Sequence, residues 1–152
     1  MIKTLIKFIV IVILVILPLT MNSSMHSLKK RDRLFYAIGE VESNHNPKAK
    51  SNKGALGMYQ IRACVWEKEL KKEGIIQNRE DLFNPIINRK AAEYILNKYY
   101  KQTRSMRKAL IKYSGGDKDY PNRVFKVLSG AFPVRLISTG SFFNGEGIQL
   151  VK

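Results

Sequence analysis

Hydrophobic positions along the 152-residue chain fall into one unbroken run followed by a series of helical stripes. Phe8 to Leu17 is continuously apolar and follows Lys3 and Lys7, the pattern of a secretory signal or a membrane anchor. The run has no polar face, which sets it apart from a core helix of a globular protein. Residues 1–21 are therefore read as signal peptide or transmembrane anchor, and 22–31 as a polar linker. Basic residues flank the run on both sides, so charge does not orient it. Beyond the linker, Leu34, Ala37, Ile38 and Val41 recur at helical spacing, with Asp32 as the candidate cap. Asn46-Pro47 is expected to stop that helix, because a residue before proline avoids the helical region. Lys48 to Gly57 reads as a turn-rich loop in which Gly54 and Gly57 allow positive φ or close backbone approach.

Trp66 and Leu70 then mark a second helix over Ala63 to Lys72, ended at Gly74. Asn84 caps and Pro85 opens a longer helix to about Tyr100, with Ile87, Ala91, Tyr94 and Ile95 on its core face. Ser105 can cap a helix bearing Met106, Ala109, Leu110 and Tyr113. Ser114-Gly115-Gly116-Asp117 is a turn, and Tyr120-Pro121 opens a last helix with Val124, Val127 and Leu128. The pattern predicts a mainly α domain over 32–130, with a loop or short hairpin after its first helix. Residues 131–152 form a tail with strand-like residues such as Val134, Ile137 and Phe142 and no functional reading.

Charge narrows the partners without choosing one. The formal net charge is +15, and only Lys3 and Lys7 of the excess lie in the apolar segment, so the body itself is basic. Such a field attracts polyanions: nucleic acid, anionic lipid or acidic wall polymers. The basic residues are dispersed and no nucleic-acid motif occurs, so nucleic acid is not expected as a partner. One cysteine, Cys64, cannot form an internal disulfide and reads as a small buried apolar residue. There is no phosphate-binding glycine motif and no CxxC or HExxH. His26 and His45 are not spaced as a metal site, so neither metal nor cofactor is expected. His45 reads as a solvated loop residue.

The acid that stands out is Glu42, one position past Val41 at the end of the first helical stripe. Glu40, two residues earlier, lies on another face and reads as a solvated surface group. Near a helix C-terminus the dipole is negative, and partial burial adds to it in raising a carboxyl pKa, as a general acid at neutral pH requires. Position alone favours an exposed acid at a frayed helix end.

Beyond these residue-by-residue readings, three patches in order carry a resemblance. Glu42-Ser43, Asn46-Pro47, Ala49, Ser51, Gly54-Ala55, Gly57 and Gln60 form the first. Leu82-Phe83-Asn84-Pro85, Asn88, Ala91 and Tyr94-Ile95-Leu96 form the second, and Ala109-Leu110-Ile111-Lys112-Tyr113-Ser114-Gly115-Gly116 the third. Together they resemble the lytic transglycosylase family with the goose-lysozyme-like catalytic domain, over about Leu34 to Leu128. Two positions depart from its pattern: Tyr59, where methionine or another bulky residue is common, and Ser114, where asparagine is usual.

The resemblance implies a lysozyme-like fold and cleavage of the β-1,4 bond between N-acetylmuramic acid and N-acetylglucosamine in peptidoglycan, with closure of a 1,6-anhydro ring. It implies Glu42 as the acid and then the base, and Ser51, Gln60, Tyr113 and Tyr59 as substrate-binding residues, with the Tyr113 hydroxyl near Glu42. Left without the resemblance, Ser51 is a turn residue, Gln60 satisfies the core and Tyr113 packs in it. A hydrolysing muramidase is the near alternative, if Asp32, Asp117 or Asp119 positions a water. A non-enzymatic, membrane-anchored, polyanion-binding protein is the alternative of a different class. The expected partners are peptidoglycan strands, and the membrane through the N-terminal segment. The expected location is the extracytoplasmic face of a bacterial envelope. The setting stays open between wall turnover, a secretion or conjugation apparatus and phage entry or lysis.

Overall fold

Helix α1, residues 30–43, delivers Leu34, Phe35, Ala37 and Ile38 to the core at the spacing of one helical face. The computed structural model describes residues 30–131. The expected signal or anchor segment and the C-terminal tail lie outside the described residues. The chain divides into two units, 1–33 and 34–152, and the site with its supports lies in the second. α1 is already helical at Lys30, two residues before the expected Asp32 cap. Among the described residues, no helix is long and apolar enough to cross a membrane.

The first helix also ends earlier than Asn46-Pro47. Its last residue is Ser43, after which Asn44 and His45 both adopt positive φ, 51° and 59°. The His45 N–H reaches back to the Gly39 carbonyl at 3.1 Å, so the chain closes the helix end on its own carbonyls before proline is met. His45 is half-buried rather than solvated. Its ring lies 4.6 Å from Tyr36, and its Nε2 is 3.1 Å from Glu40 Oε2 at an angle too poor for a hydrogen bond.

Two short strands follow, β1 (Ala55–Leu56) and β2 (Ile61–Arg62), antiparallel with Ala55 opposite Arg62 and Leu56 opposite Ile61. Then come α2 (Ala63–Lys72), a 3-10 turn at Arg79–Phe83, α3 (Pro85–Thr103), α4 (Met106–Tyr113) and α5 (Tyr120–Ala131). The result is a mainly helical fold with a small two-stranded sheet, consistent with a lysozyme-like domain. Asn84 caps α3 by accepting from the Ile86 and Ile87 N–H groups, and Ser105 caps α4 by accepting from Lys108. The 3-10 turn, which hydrophobic periodicity does not signal, is held by a reciprocal capping box between Asn78 and Asp81.

One apolar cluster takes residues from α1, the hairpin and every later helix. α3 packs most extensively on α4. α2 turns Ala63, Trp66 and Leu70 inward, which leaves Cys64 on the outside. The thiol is exposed, contrary to its expected burial, because it sits about 100° around the helix from Ala63.

The hairpin is pinned to α3 by Asn88, a fully buried polar side chain. Its Nδ2 donates to the Leu56 carbonyl at 3.1 Å and the Leu82 carbonyl at 2.8 Å. Its Oδ1 accepts from the Tyr59 N–H at 2.7 Å. Two backbone groups of the sharp 56–59 bend and the Leu82 carbonyl of the 3-10 turn are thus satisfied by one amide. Gly57 passes directly beside it with φ +74°, where a Cβ would overlap the Leu82 carbonyl and the Asn88 amide. Only glycine fits there.

Candidate active site

Glu42 lies in the last turn of α1, and Ser43 fixes that turn against the loop behind it. The Ser43 hydroxyl donates to the Met58 carbonyl at 2.7 Å and accepts from the Asn46 N–H at 3.1 Å. Glu42 is half-buried, and its Oε1 accepts a hydrogen bond from the Tyr120 hydroxyl at 2.7 Å. Burial raises its pKa from 4.5 to about 7, against the opposing pulls of the Tyr120 hydrogen bond and the positive charge of Arg123. A carboxyl in that balance holds its proton for a good part of the time at neutral pH, and can both give one up and take one back.

Tyr120 is buried at the start of α5. Burial first, and then the neighbouring Glu42 charge, push its pKa far above the usual phenol range, so it remains a donor at any working pH. Its ring stacks on Tyr113, with centroids 6.4 Å apart and planes at 27°. The Tyr113 hydroxyl donates to the Tyr59 carbonyl at 2.8 Å, and burial and then the Glu42 charge raise its pKa. α1, α4, α5 and the hairpin therefore converge on one array: Glu42, Tyr120, Tyr113 and the Tyr59 backbone. Arg123, one turn along α5 from Tyr120, is held by Asp117 at 2.8 Å. Its positive charge acts on Glu42 from there.

The loop before the hairpin and the hairpin turn carry Ser51 and Gln60. Ser51 Oγ accepts from the Ala55 N–H at 3.0 Å, which leaves its hydroxyl proton to donate. Gln60 sits at φ +48°, a left-handed conformation that costs a non-glycine residue roughly 1 kcal/mol. Its Nε2 donates to the Gly57 carbonyl at 2.9 Å and more weakly to the Ala49 carbonyl at 3.4 Å, fixing the amide plane.

The chain matches the transglycosylase SLT domain over residues 21–126. It belongs to that family. No curated protein and no solved structure matches it.

In this SLT domain, Glu42 and Tyr113 both meet Tyr120, and Tyr113 is tied to the hairpin turn next to Gln60, while Ser51 bonds within its own loop. The hydroxyl on Glu42 is that of Tyr120, which sequence reasoning read only as the opening residue of a helix. A signal was present: Tyr120 lies seven residues beyond Tyr113, two turns of helix if the chain were continuous, but the intervening Gly115-Gly116 turn hides that relation. Tyr59, expected among the substrate-binding residues, has its ring in the core. It is only 5% exposed and its ring packs edge-on against Phe35, with centroids 5.8 Å apart. Asn88 accepts from its N–H at 2.7 Å, and its carbonyl accepts from Tyr113. Ser114 bonds inside its own turn, donating to the Ile111 carbonyl at 2.9 Å. Among the described residues, no group of three or more His, Cys, Asp or Glu is arranged to hold a metal ion.

Proposed function

We propose that the chain is a peptidoglycan lytic transglycosylase with Glu42 as its single acid and base. The observation that carries the reading is a half-buried carboxyl with its pKa raised to about 7 and a permanent phenol donor on one oxygen. Glu42 gives its proton to the glycosidic oxygen as the bond from muramoyl C1 to that oxygen breaks. The departing N-acetylglucosamine leaves with a free 4-hydroxyl. The carboxylate so formed takes the proton of the muramoyl 6-hydroxyl, whose oxygen closes on C1 to give the 1,6-anhydro ring. No water is consumed, and Glu42 ends protonated as it began. Because the nucleophile belongs to the substrate, no second carboxylate has to position it, in contrast to the paired acids of most glycosidases.

Tyr120 holds the Glu42 carboxyl in one orientation through both proton transfers. Ser51 can donate to a sugar oxygen, and Gln60, whose Oε1 accepts no bond from any described residue, can receive an acetamido N–H. Hydrolysis is less well supported, since Asp117 and Asp119 both face Arg123, at 2.8 and 3.8 Å, instead of a water opposite Glu42. In this reading residues 1–21 export or tether the enzyme to the envelope, where its substrate lies.

The test is product analysis by mass spectrometry after incubating the full chain with purified sacculi. Anhydro-muramoyl ends, lighter by one water than reducing ends, are expected from the wild type and none from Glu42→Gln. Reducing ends would make the enzyme a muramidase, and undiminished release by Glu42→Gln would remove Glu42 from its role.

A further inference from the structure

We propose that Arg62 recognises a carboxylate on the peptide stem of the glycan strand, making the enzyme selective for strands with anionic stems. This rests on the peptidoglycan reading above. Arg62 ends β2 on the exposed side of the hairpin. Its guanidinium lies along Gly115: a Cβ there would stand 3.4 Å from Nη2 and 3.5 Å from Cζ and Nη1. The side chain therefore crosses from the hairpin to the turn after α4 and is held flat against a residue that has no side chain to displace it.

That crossing is placed by the site itself. The Tyr113 hydroxyl and Tyr59 carbonyl join the two segments at 2.8 Å. Arg62 follows Tyr59 by three residues, and Gly115 follows Tyr113 by two. The same tyrosine stack continues to Glu42 through Tyr120. Arg62 thus stands at the rim of the wall whose other end carries the reacting acid.

Several other cations of the domain are already paired. Arg123 is held by Asp117 and Asp119, Lys98 by Glu69 and Arg79 by Glu67. The Arg62 side chain makes no hydrogen bond or ion pair with any described residue. An oriented guanidinium left without an anion is suited to a planar carboxylate, which it can bind by two parallel N–H bonds. The glycan backbone is neutral. Along such a strand, carboxylates occur only on the stems or, where a stem has been removed, on the lactyl arm.

The experiment compares full-chain wild type, Arg62→Ala, Arg62→Lys and Lys101→Ala on three substrates. These are soluble strands with intact stems, the same strands with carboxylates converted to methylamides, and amidase-stripped strands bearing only the lactyl carboxylate. Lys101→Ala removes the same charge about 20 Å along α3 from Asn88, as a control for general attraction. On intact strands Arg62→Ala is expected to lose about tenfold in kcat/KM, mostly through KM, the size of one charge-assisted contact. Arg62→Lys should recover part of it, and Lys101→Ala should stay within twofold. On methylamidated and on stripped strands the gap between wild type and Arg62→Ala should shrink to within twofold. Equal losses on intact and methylamidated strands, or a Lys101→Ala loss matching that of Arg62→Ala, would overturn the proposal. Persistence of the loss on stripped strands would move the contact to the lactyl arm and overturn the stem assignment. A wild type inactive on every strand would overturn the functional reading and this one with it, whereas an active wild type with equal losses overturns this one alone.

Discussion

Removing the charge of Glu42 should stabilise the protein while abolishing its activity, and the gain should appear only as pH rises. Below pH 4.5 the carboxyl is protonated in both folded and unfolded chains, so its burial carries no ionisation penalty. Between 4.5 and about 7 the unfolded chain releases the proton while the folded one keeps it, and stability falls with increasing pH. Above about 7 both states are ionised and the loss is complete. The interval from 4.5 to about 7 corresponds to an upper bound of about 3 kcal/mol, and solvent reaching the half-buried group brings the expectation to about 1–3 kcal/mol. Glu42→Gln keeps the shape and an oxygen for the Tyr120 hydroxyl but cannot ionise. Urea unfolding of both proteins at pH 4, 6 and 8 should give matching stabilities at pH 4 and a more stable variant at pH 8. In a domain of about 100 residues that is a rise of roughly 5–15 °C in Tm. A difference between the two proteins that stays flat from pH 4 to pH 8 would refute the burial-driven shift, and with it the account of Glu42 as an acid poised for neutral pH.

The same shift predicts that wild-type kcat/KM falls as pH rises through about 7, because the proton to be donated is lost. Tyr120→Phe removes a hydrogen bond that lowers the Glu42 pKa, so the alkaline limb of the pH–rate profile should move upward while kcat drops about tenfold or more. An unmoved limb would separate Tyr120 from the acid. Asn88→Ala leaves the Leu56 and Leu82 carbonyls and the Tyr59 N–H unpaired and should cost about 3 kcal/mol or more in urea unfolding; a cost under about 1 kcal/mol would mean that water replaces the amide. Gly57→Ala, blocked by the Leu82 carbonyl and by a φ of +74°, should abolish soluble folded protein or destabilise it by several kcal/mol, whereas Gly54→Ala, with nothing within 4 Å, should cost about 1–2 kcal/mol for its φ alone.

Much of this protein was legible from local pattern. The span of α2, the Asn84 and Ser105 caps and the opening of α5 at Tyr120-Pro121 follow from side-chain periodicity and from capping groups a few residues away, which are properties of the chain itself. So does the candidacy of Glu42, once its setting among Asn46-Pro47, the loop glycines and Gln60 is considered together with the patches at Leu82 and Ala109. What local pattern misjudged was the state of individual groups whose partners are remote. His45 looked like a solvated loop residue because its contact with Tyr36 depends on a positive-φ reversal. Cys64 looked buried by residue type, yet its angle around α2 sends it outward.

The chemistry of the site depended on tertiary structure. The pKa of Glu42 is set by burial and by Tyr120 and Arg123, which stand about eighty residues downstream. Nothing in the spacing of Tyr113 and Tyr120 says which hydroxyl reaches the acid. That is decided by the packing of α4 and α5 and by the Tyr59 carbonyl, which accepts the Tyr113 hydrogen bond. Tyr59 is likewise drawn into the core by Asn88, a contact across twenty-nine residues. Periodicity and capping act over one or two turns of chain, and they suffice to place helices. Desolvation and hydrogen bonding act through space, and only the folded chain determines which phenol meets which carboxyl and how much water is left around it.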